Sequence, residues 1–159
     1  MKLNLGSGQN KKEGFINIDS NPSTKPDVIR DVCRGLPYTD GVADEICAEH
    51  LIEHLNAQDF IFFFNECWRV LKSKGILHIK APYYKEKWAV IDPTHVRLIT
   101  EYSFDFFFNR DYNSMTAGVT GWYEPEKLQI IGGELQLTVK KVETPTQYWD
   151  VKEMKEVTK

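Results

Sequence analysis

The chain has 159 residues, of which 42% are apolar, 13% aromatic and 27% charged, and carries a net charge of −3. That length suits one domain burying about two thirds of its unfolded surface and argues against a second folded unit. A slightly acidic chain with scattered lysines has no general attraction for phosphate backbones, and its longest dense apolar run, Phe60 to Phe64, falls far short of the ~20 residues of a membrane span, so neither nucleic acid nor a bilayer is an expected partner.

Leu3-Asn4-Leu5 reads as a short buried strand, Gly6-Ser7-Gly8 as a tight turn at its end, and Phe15 to Ile18 as a second strand delivering Asp19 to the same edge. Glycines at 6 and 8 let the backbone turn sharply and approach a ligand closely. A carboxylate at the C-terminal end of a strand is placed to accept hydrogen bonds from vicinal ribose hydroxyls. Together these residues sketch a nucleoside pocket, although a Gly-x-Gly turn is by itself an unspecific signal.

Ser20 to Pro26 is a loop by its Pro, Ser and Asn content, and Val28 to Val32 is a third short strand with Asp31 near its end. Gly35-Leu36-Pro37 and Asp40-Gly41 mark turns before a fourth strand, Ala43 to Ala48. From Glu49 the period changes. Leu51 and Leu55 suggest a short helical turn, and Phe60, Phe63, Phe64, Cys67, Trp68 and Leu71 recur at the spacing of an amphipathic helix of about four turns. Asn56 is its expected N-cap, with Lys72, Lys74 and Gly75 as the stop. Ile76 to Ala81, closed by Pro82, is a fifth strand, and strand, helix, strand implies a right-handed parallel crossover.

Beyond Pro82, Tyr83 to Trp88 is aromatic and charged, Asp92 to Arg97 is a structured loop, and Thr100 or Ser103 caps a helix through Phe104, Phe107 and Phe108. Asp111 to Gly121 is loop-like. Leu128 to Ile131 and Leu135 to Val139 flank Gly132-Gly133 as an antiparallel hairpin. Residues 1–147 thus form one domain, and 148–159 a charged tail read as an exposed helix or frayed end. Cys33, Cys47 and Cys67 are odd in number and lack Cys-x-x-Cys spacing, which reads as free thiols in a reducing compartment. With neither a signal peptide nor a membrane span at its N-terminus, the chain is expected in a cytoplasm.

The ordered series runs from the Gly turn through Asp19, Asp31 with Leu36-Pro37, Asp44, and Glu49-His50-Leu51-Ile52-Glu53-His54-Leu55 to Trp68-Arg69-Val70-Leu71-Lys72 before Gly75-Ile76-Leu77. Over roughly residues 2 to 82 it resembles the class I S-adenosylmethionine-dependent methyltransferases, in particular their small type 11 branch, as does Thr94-His95-Val96-Arg97 with Thr100 and Phe104. The resemblance implies an α/β fold with a doubly wound, Rossmann-like, mostly parallel sheet, helices on both sides and a C-terminal antiparallel hairpin. The cofactor implied is S-adenosylmethionine, with S-adenosylhomocysteine as product. Its site would be drawn from Leu5, Gly6, Ser7, Gly8, Asp19, Ser20, Asp31, Val32, Glu49 and His50, with Gly6 and Gly8 flanking the methionine part, Asp19 on the ribose and Asp31 with the Val32 backbone at the adenine. One departure stands out: Gln9 to Gly14 is less than two helical turns, so the first crossover is pared down to a loop or a single turn.

Methyl transfer is an in-line displacement that needs alignment in a dry site, and a base only for a hydroxyl or protonated amine. His95 is the first candidate base and His50 the second; Tyr83, Tyr84, Trp88 and Arg97 are candidates for binding a small-molecule or glycan-like acceptor. A structural role is open to several of these residues, since Asp19 and Asp31 can cap turns and His95 can staple its loop to Asp92. A domain that binds the cofactor without catalysis is the alternative. His50-x-x-Glu53-His54 also matches the inverted zinc-peptidase spelling, a third reading as a zinc hydrolase, but no third ligand is assigned and no metal is expected. The aromatic surplus suggests an exposed patch able to form a homodimer.

Overall fold

The computed structural model describes residues 1–150 and, as backbone, the strand Lys155–Val157. Its strands are β1 (Lys2–Leu5), β2 (Ile16–Asp19), β3 (Val28–Ile29), β4 (Ala43–Glu49), β5 (Leu71–Pro82), β6 (Trp122–Ile131), β7 (Glu134–Val142) and β8 (Lys155–Val157). They form one eight-stranded sheet of order β3-β2-β1-β4-β5-β7-β6-β8. The first five run parallel, β7 is antiparallel to both β5 and β6, and β8 lies parallel to β6. The doubly wound order and the C-terminal hairpin expected from the sequence are both present, with Gly132 and Gly133 at positive φ between β6 and β7.

Alternation within the strands decides the two faces. Leu3, Ile46, Leu77 and Val139 stand in register across β1, β4, β5 and β7, all fully buried. Helix α1 (Ala57–Val70) buries Phe60, Phe63, Phe64, Cys67 and Val70, while the short α3 (Asp105–Phe108) adds Phe107 and Phe108. Phe64 stacks on Phe107 with ring centroids 4.3 Å apart, and Tyr123 donates from its hydroxyl to the Phe64 carbonyl at 2.7 Å. The opposite face is polar. Lys2 pairs with Glu45, His78 approaches the same carboxylate, Lys80 pairs with Glu134, and Lys140 with Glu124.

That polarity follows from the connections. Between β1 and β4 the chain has only two 3₁₀ turns, Pro22–Thr24 and Val32–Arg34, and no α-helix. The helices on both sides implied by the resemblance are therefore reduced to one side. Without a first helix, two buried amides hold the backbone between β1 and β2. Asn17 Oδ1 accepts from Asn4 Nδ2 at 2.9 Å and from the Lys12 N–H at 2.8 Å, and Asn4 Nδ2 also donates to the Asn10 carbonyl. These amides supply partners that a helix would otherwise have found internally.

Four local expectations are corrected. The third strand stops at Ile29, because Asp31 caps the following 3₁₀ turn by accepting from the Cys33 N–H. Helix α1 ends at Val70 and not at Gly75, since Leu71 already pairs with Ala43 as the first residue of β5. A Cβ at Gly75 would lie 2.9 Å from the Lys72 carbonyl, so that glycine serves a close backbone approach. Within Asp111 to Gly121, the loop-like segment, Asp111 and Ser114 form a capping box that starts the short helix α4 (Tyr112–Thr116). Of the C-terminal stretch, Lys155–Val157 is a strand and not an exposed helix or frayed end; 151–154 and 158–159 lie outside the described residues.

Candidate active site

The sheet order reverses at β1, whose neighbours β2 and β4 lead in opposite directions, and the carboxyl ends of β1 and β4 are where such sheets open a crevice. A cleft of about 210 Å³ lies there, lined by Asn4, Gly6, Ser7, Gly8, Gln9, Asn10, Glu49 and His50. Gly6 has φ +63°, and a Cβ on it would stand 2.9 Å from Leu51 Cδ1. Ser7 is buried, and its Oγ has no hydrogen-bond partner among the described residues. Asp19 closes the turn from below: its Oδ2 accepts from the Gly8 N–H at 2.7 Å and its Oδ1 from the Asn21 N–H at 2.8 Å. Each oxygen retains a lone pair for a further donor.

Of the residues expected around a cofactor, Gly6, Ser7, Gly8, Glu49 and His50 meet in this cleft, with Asp19 bonded to its rim. Leu5 and Val32 are buried in the core, Ser20 is exposed, and Asp31 is engaged as a cap and by Arg34 at 3.4 Å. Sequence reasoning missed Asn4, Gln9 and Asn10, which reach the cleft because the shortened crossover folds back over β1.

On the far side of His50 lies a larger cavity of about 630 Å³, lined by residues including His50, Trp88, Ile91, Asp92, His95 and Glu134. Helix α2 (Trp88–Ile91) and the Asp92 to Arg97 loop form one wall, and the start of β7 the other. His50 sits at φ +53°, a left-handed conformation uncommon for a non-glycine residue. Its Nε2 lies 3.0 Å from Glu134 Oε1 and its Nδ1 3.5 Å from Glu53 Oε1. Glu53 foremost, helped by Glu134, raises the His50 pKa above the usual imidazole value. Both carboxylates favour the protonated imidazole, which makes His50 the weaker of the two base candidates.

The two base candidates thus differ. His95 faces the Ala89 carbonyl through Nδ1 at 3.3 Å, and its Nε2 is 3.8 Å from Asp92 Oδ2, too far for the expected stapling hydrogen bond. Among the residues expected to bind an acceptor, Trp88 lines the cavity and is 59% exposed. Tyr83 is buried, donating from its hydroxyl to Glu101 Oε2 at 3.0 Å, and Tyr84 packs edge-on against it. Arg97 lines a different cleft: its guanidinium lies 3.8 Å over the Phe60 ring and its Nε donates to the Leu55 carbonyl. Glu134, which no pattern flagged, supplies the partner of both His50 and Lys80. Nor do His50 and His54 share a helical face, because Ile52–His54 is a 3₁₀ turn. All three cysteines are free. Among the described residues no helix is long and apolar enough to cross a membrane.

Comparison with known proteins bears on the fold. A family model described as a methyltransferase domain matches residues 9–79. A SAM-dependent methyltransferase from Aquifex aeolicus superposes with a TM-score of 0.65 at 17% identity, over 89% of this chain and 81% of that one. One from Archaeoglobus fulgidus gives 0.61 at 19% identity, over 88% and 85%. The cyclase SpnF gives 0.64 at 15% identity, over 88% and 73%. At these identities the likeness is one of fold. No curated protein matches the chain.

Proposed function

We propose that this chain, which has the fold of the class I S-adenosylmethionine-dependent methyltransferases, transfers a methyl group from S-adenosylmethionine to a small-molecule or glycan-like acceptor. The observation that carries the reading is the Gly6-Ser7-Gly8 turn bonded to Asp19 at the reversal of the sheet order. The residues there fit the cofactor. Ser7 offers a buried hydroxyl without a partner, and Asp19 keeps lone pairs for ribose hydroxyls. When bound, S-adenosylmethionine supplies an activated methyl on a sulfonium.

The chain's own contribution is alignment and the exclusion of water. The smaller cleft and the larger cavity share His50, so a ligand in one and an acceptor in the other would meet beside it. With both nitrogens facing carboxylates that favour its protonated form, His50 orients the junction. His95 is the histidine of the cavity with no hydrogen bond at Nε2, and it takes the proton if the acceptor is a hydroxyl. Trp88 supplies an apolar wall.

The lack of any helix between β1 and β2 favours a second reading, cofactor binding without catalysis, because the cleft there is small, about 210 Å³. Calorimetry with S-adenosylhomocysteine tests both readings: binding is expected in the natural chain and loss of it in Asp19→Ala. A screen of methyl acceptors with S-adenosylmethionine, read by mass spectrometry, then separates them. Turnover supports the first; binding with no turnover across hydroxyl, amine and carboxylate acceptors supports the second. Absence of binding rejects both.

A further inference from the structure

Beside the larger cavity, the ligating atoms of Glu53, His54 and His95 all lie within 4.8 Å of one another. Glu53 is 2% exposed, and neither of its carboxylate oxygens has a hydrogen-bond partner among the described residues. A buried carboxylate with nothing to accept costs on the order of several kcal/mol unless a cation balances it. His50 counters part of that charge, its Nδ1 3.5 Å from Oε1, but it makes no hydrogen bond there and also faces Glu134 through Nε2. That contact leaves Oε2 with nothing.

Both other histidines are oriented as ligands are. His54 Nδ1 faces the Thr94 carbonyl at 3.2 Å, and His95 Nδ1 faces the Ala89 carbonyl at 3.3 Å. A backbone carbonyl at Nδ1 fixes the proton on that nitrogen and leaves the lone pair on Nε2. The two rings meet edge to face, centroids 4.8 Å apart. The main chain holds the group together, since the Glu53 carbonyl accepts from the Val96 N–H at 3.0 Å and the Arg97 N–H at 3.3 Å, locking the 3₁₀ turn to the loop that bears His95.

We infer that Glu53, His54 and His95 bind one divalent transition-metal ion of the zinc or cobalt class. Two imidazoles and one carboxylate are a ligand set for such ions. Tetrahedral ligands at ~2.1 Å from a metal lie ~3.4 Å apart, so the most widely separated side chains close in by roughly 1.4 Å on binding. His95 also lines the larger cavity, so the ion would sit beside it. This assigns to His95 Nε2 a metal and not a proton. With the ion bound, His95 is removed from its proposed base role, whereas cofactor binding at the Gly6-Ser7-Gly8 turn does not depend on the ion, so the two readings can fail separately.

The test is titration of the chelator-treated full chain with Co²⁺, read by visible absorption and by calorimetry, with Zn²⁺ as competitor. One ion per chain is expected, with the d–d bands of a four- or five-coordinate site and displacement by Zn²⁺. Affinity should fall by about 100-fold in His54→Ala and His95→Ala and by at least tenfold in Glu53→Gln, while His78→Ala on the polar sheet face binds as the natural chain does. Far-UV circular dichroism checks that each variant is folded. His95→Cys, which keeps a ligand, should retain the ion and add a thiolate charge-transfer band. No binding by the natural chain, equal binding by all variants, or a His95→Cys variant without the new band overturns the assignment. Binding of S-adenosylhomocysteine, measured in the same samples, reports on the proposed function separately.

Discussion

The Gly8 N–H donates to Asp19 Oδ2 at 2.7 Å, tying the turn after β1 to the last residue of β2. The acid expected to meet a ribose is thus also the strut that sets the shape of the glycine turn. Asp19→Ala removes the acceptor of both Gly8 and Asn21, two charge-assisted hydrogen bonds worth about 1.5–3 kcal/mol each when buried and less in this half-exposed place. We expect S-adenosylhomocysteine affinity to fall at least tenfold and the chain to lose about 1–2 kcal/mol of stability. Calorimetry and urea unfolding measure the two losses. Unchanged affinity would remove Asp19 from the site.

Gly6 has a different constraint. At φ +63° any other residue pays about 1–2 kcal/mol, and its Cβ would press on Leu51 Cδ1 from 2.9 Å. Gly6→Ala is expected to destabilise by about 1–3 kcal/mol. Because Leu51 supplies the contact, Leu51→Ala should relieve the steric part and leave the backbone part, so the double variant will be less destabilised than the sum of the single ones. Additive losses in urea unfolding would show that the contact carries no energy.

The pared-down crossover rests on Asn17, a strand residue whose side chain points away from the helices. Asn17→Leu would leave the Lys12 N–H and one of the two Asn4 Nδ2 protons without an acceptor, the other still reaching the Asn10 carbonyl, while keeping a similar side-chain shape. The expected loss is about 2–4 kcal/mol, from two hydrogen-bond donors left without an acceptor. Hydrogen exchange at Lys12 should accelerate before that in β4 does, since the loop opens first. Equal rates at both places would mean that the crossover is not a separate opening unit.

What was legible beforehand followed from local physics. The strands around Leu3, Ile46 and Leu77 and the stripe from Phe60 to Cys67 announce themselves by period, and Asn56 and Thr100 by capping chemistry. The shortened first connection was visible in its length alone. Less visible was the fate of Asp31, where a turn competed successfully with the strand, because both are short and a side-chain cap decided the matter. Glu53 meeting His95, and Glu134 meeting His50, were beyond sequence reasoning. Each pair joins segments distant in the chain, brought together by the loop after β5 and by a hairpin folding back on that strand.

Glu66 gives the fold an acid-sensitive staple. Its Oε1 accepts from the Leu36 N–H at 2.7 Å and from Arg69 Nη2 at 2.6 Å, while Oε2 accepts from Arg69 Nε at 2.8 Å. Arg69 reaches on to the Tyr38 carbonyl and Asp40, so the pair pins the loop before β4 onto α1. Arg69 first, and then the Leu36 N–H, hold the Glu66 pKa below the usual carboxylate value. A depressed folded-state pKa means that the contribution is complete above the unfolded value of about 4.3 and disappears as pH falls through the folded one. Glu66→Gln, which keeps an acceptor for Leu36 but loses the forked ion pair, should cost about 1–2 kcal/mol at neutral pH. The difference between the natural chain and Glu66→Gln in urea midpoint should stay constant from pH 7 down to about 5 and narrow below that. A difference that persists undiminished to pH 3 would show that the charge on Glu66 is not what fastens the loop.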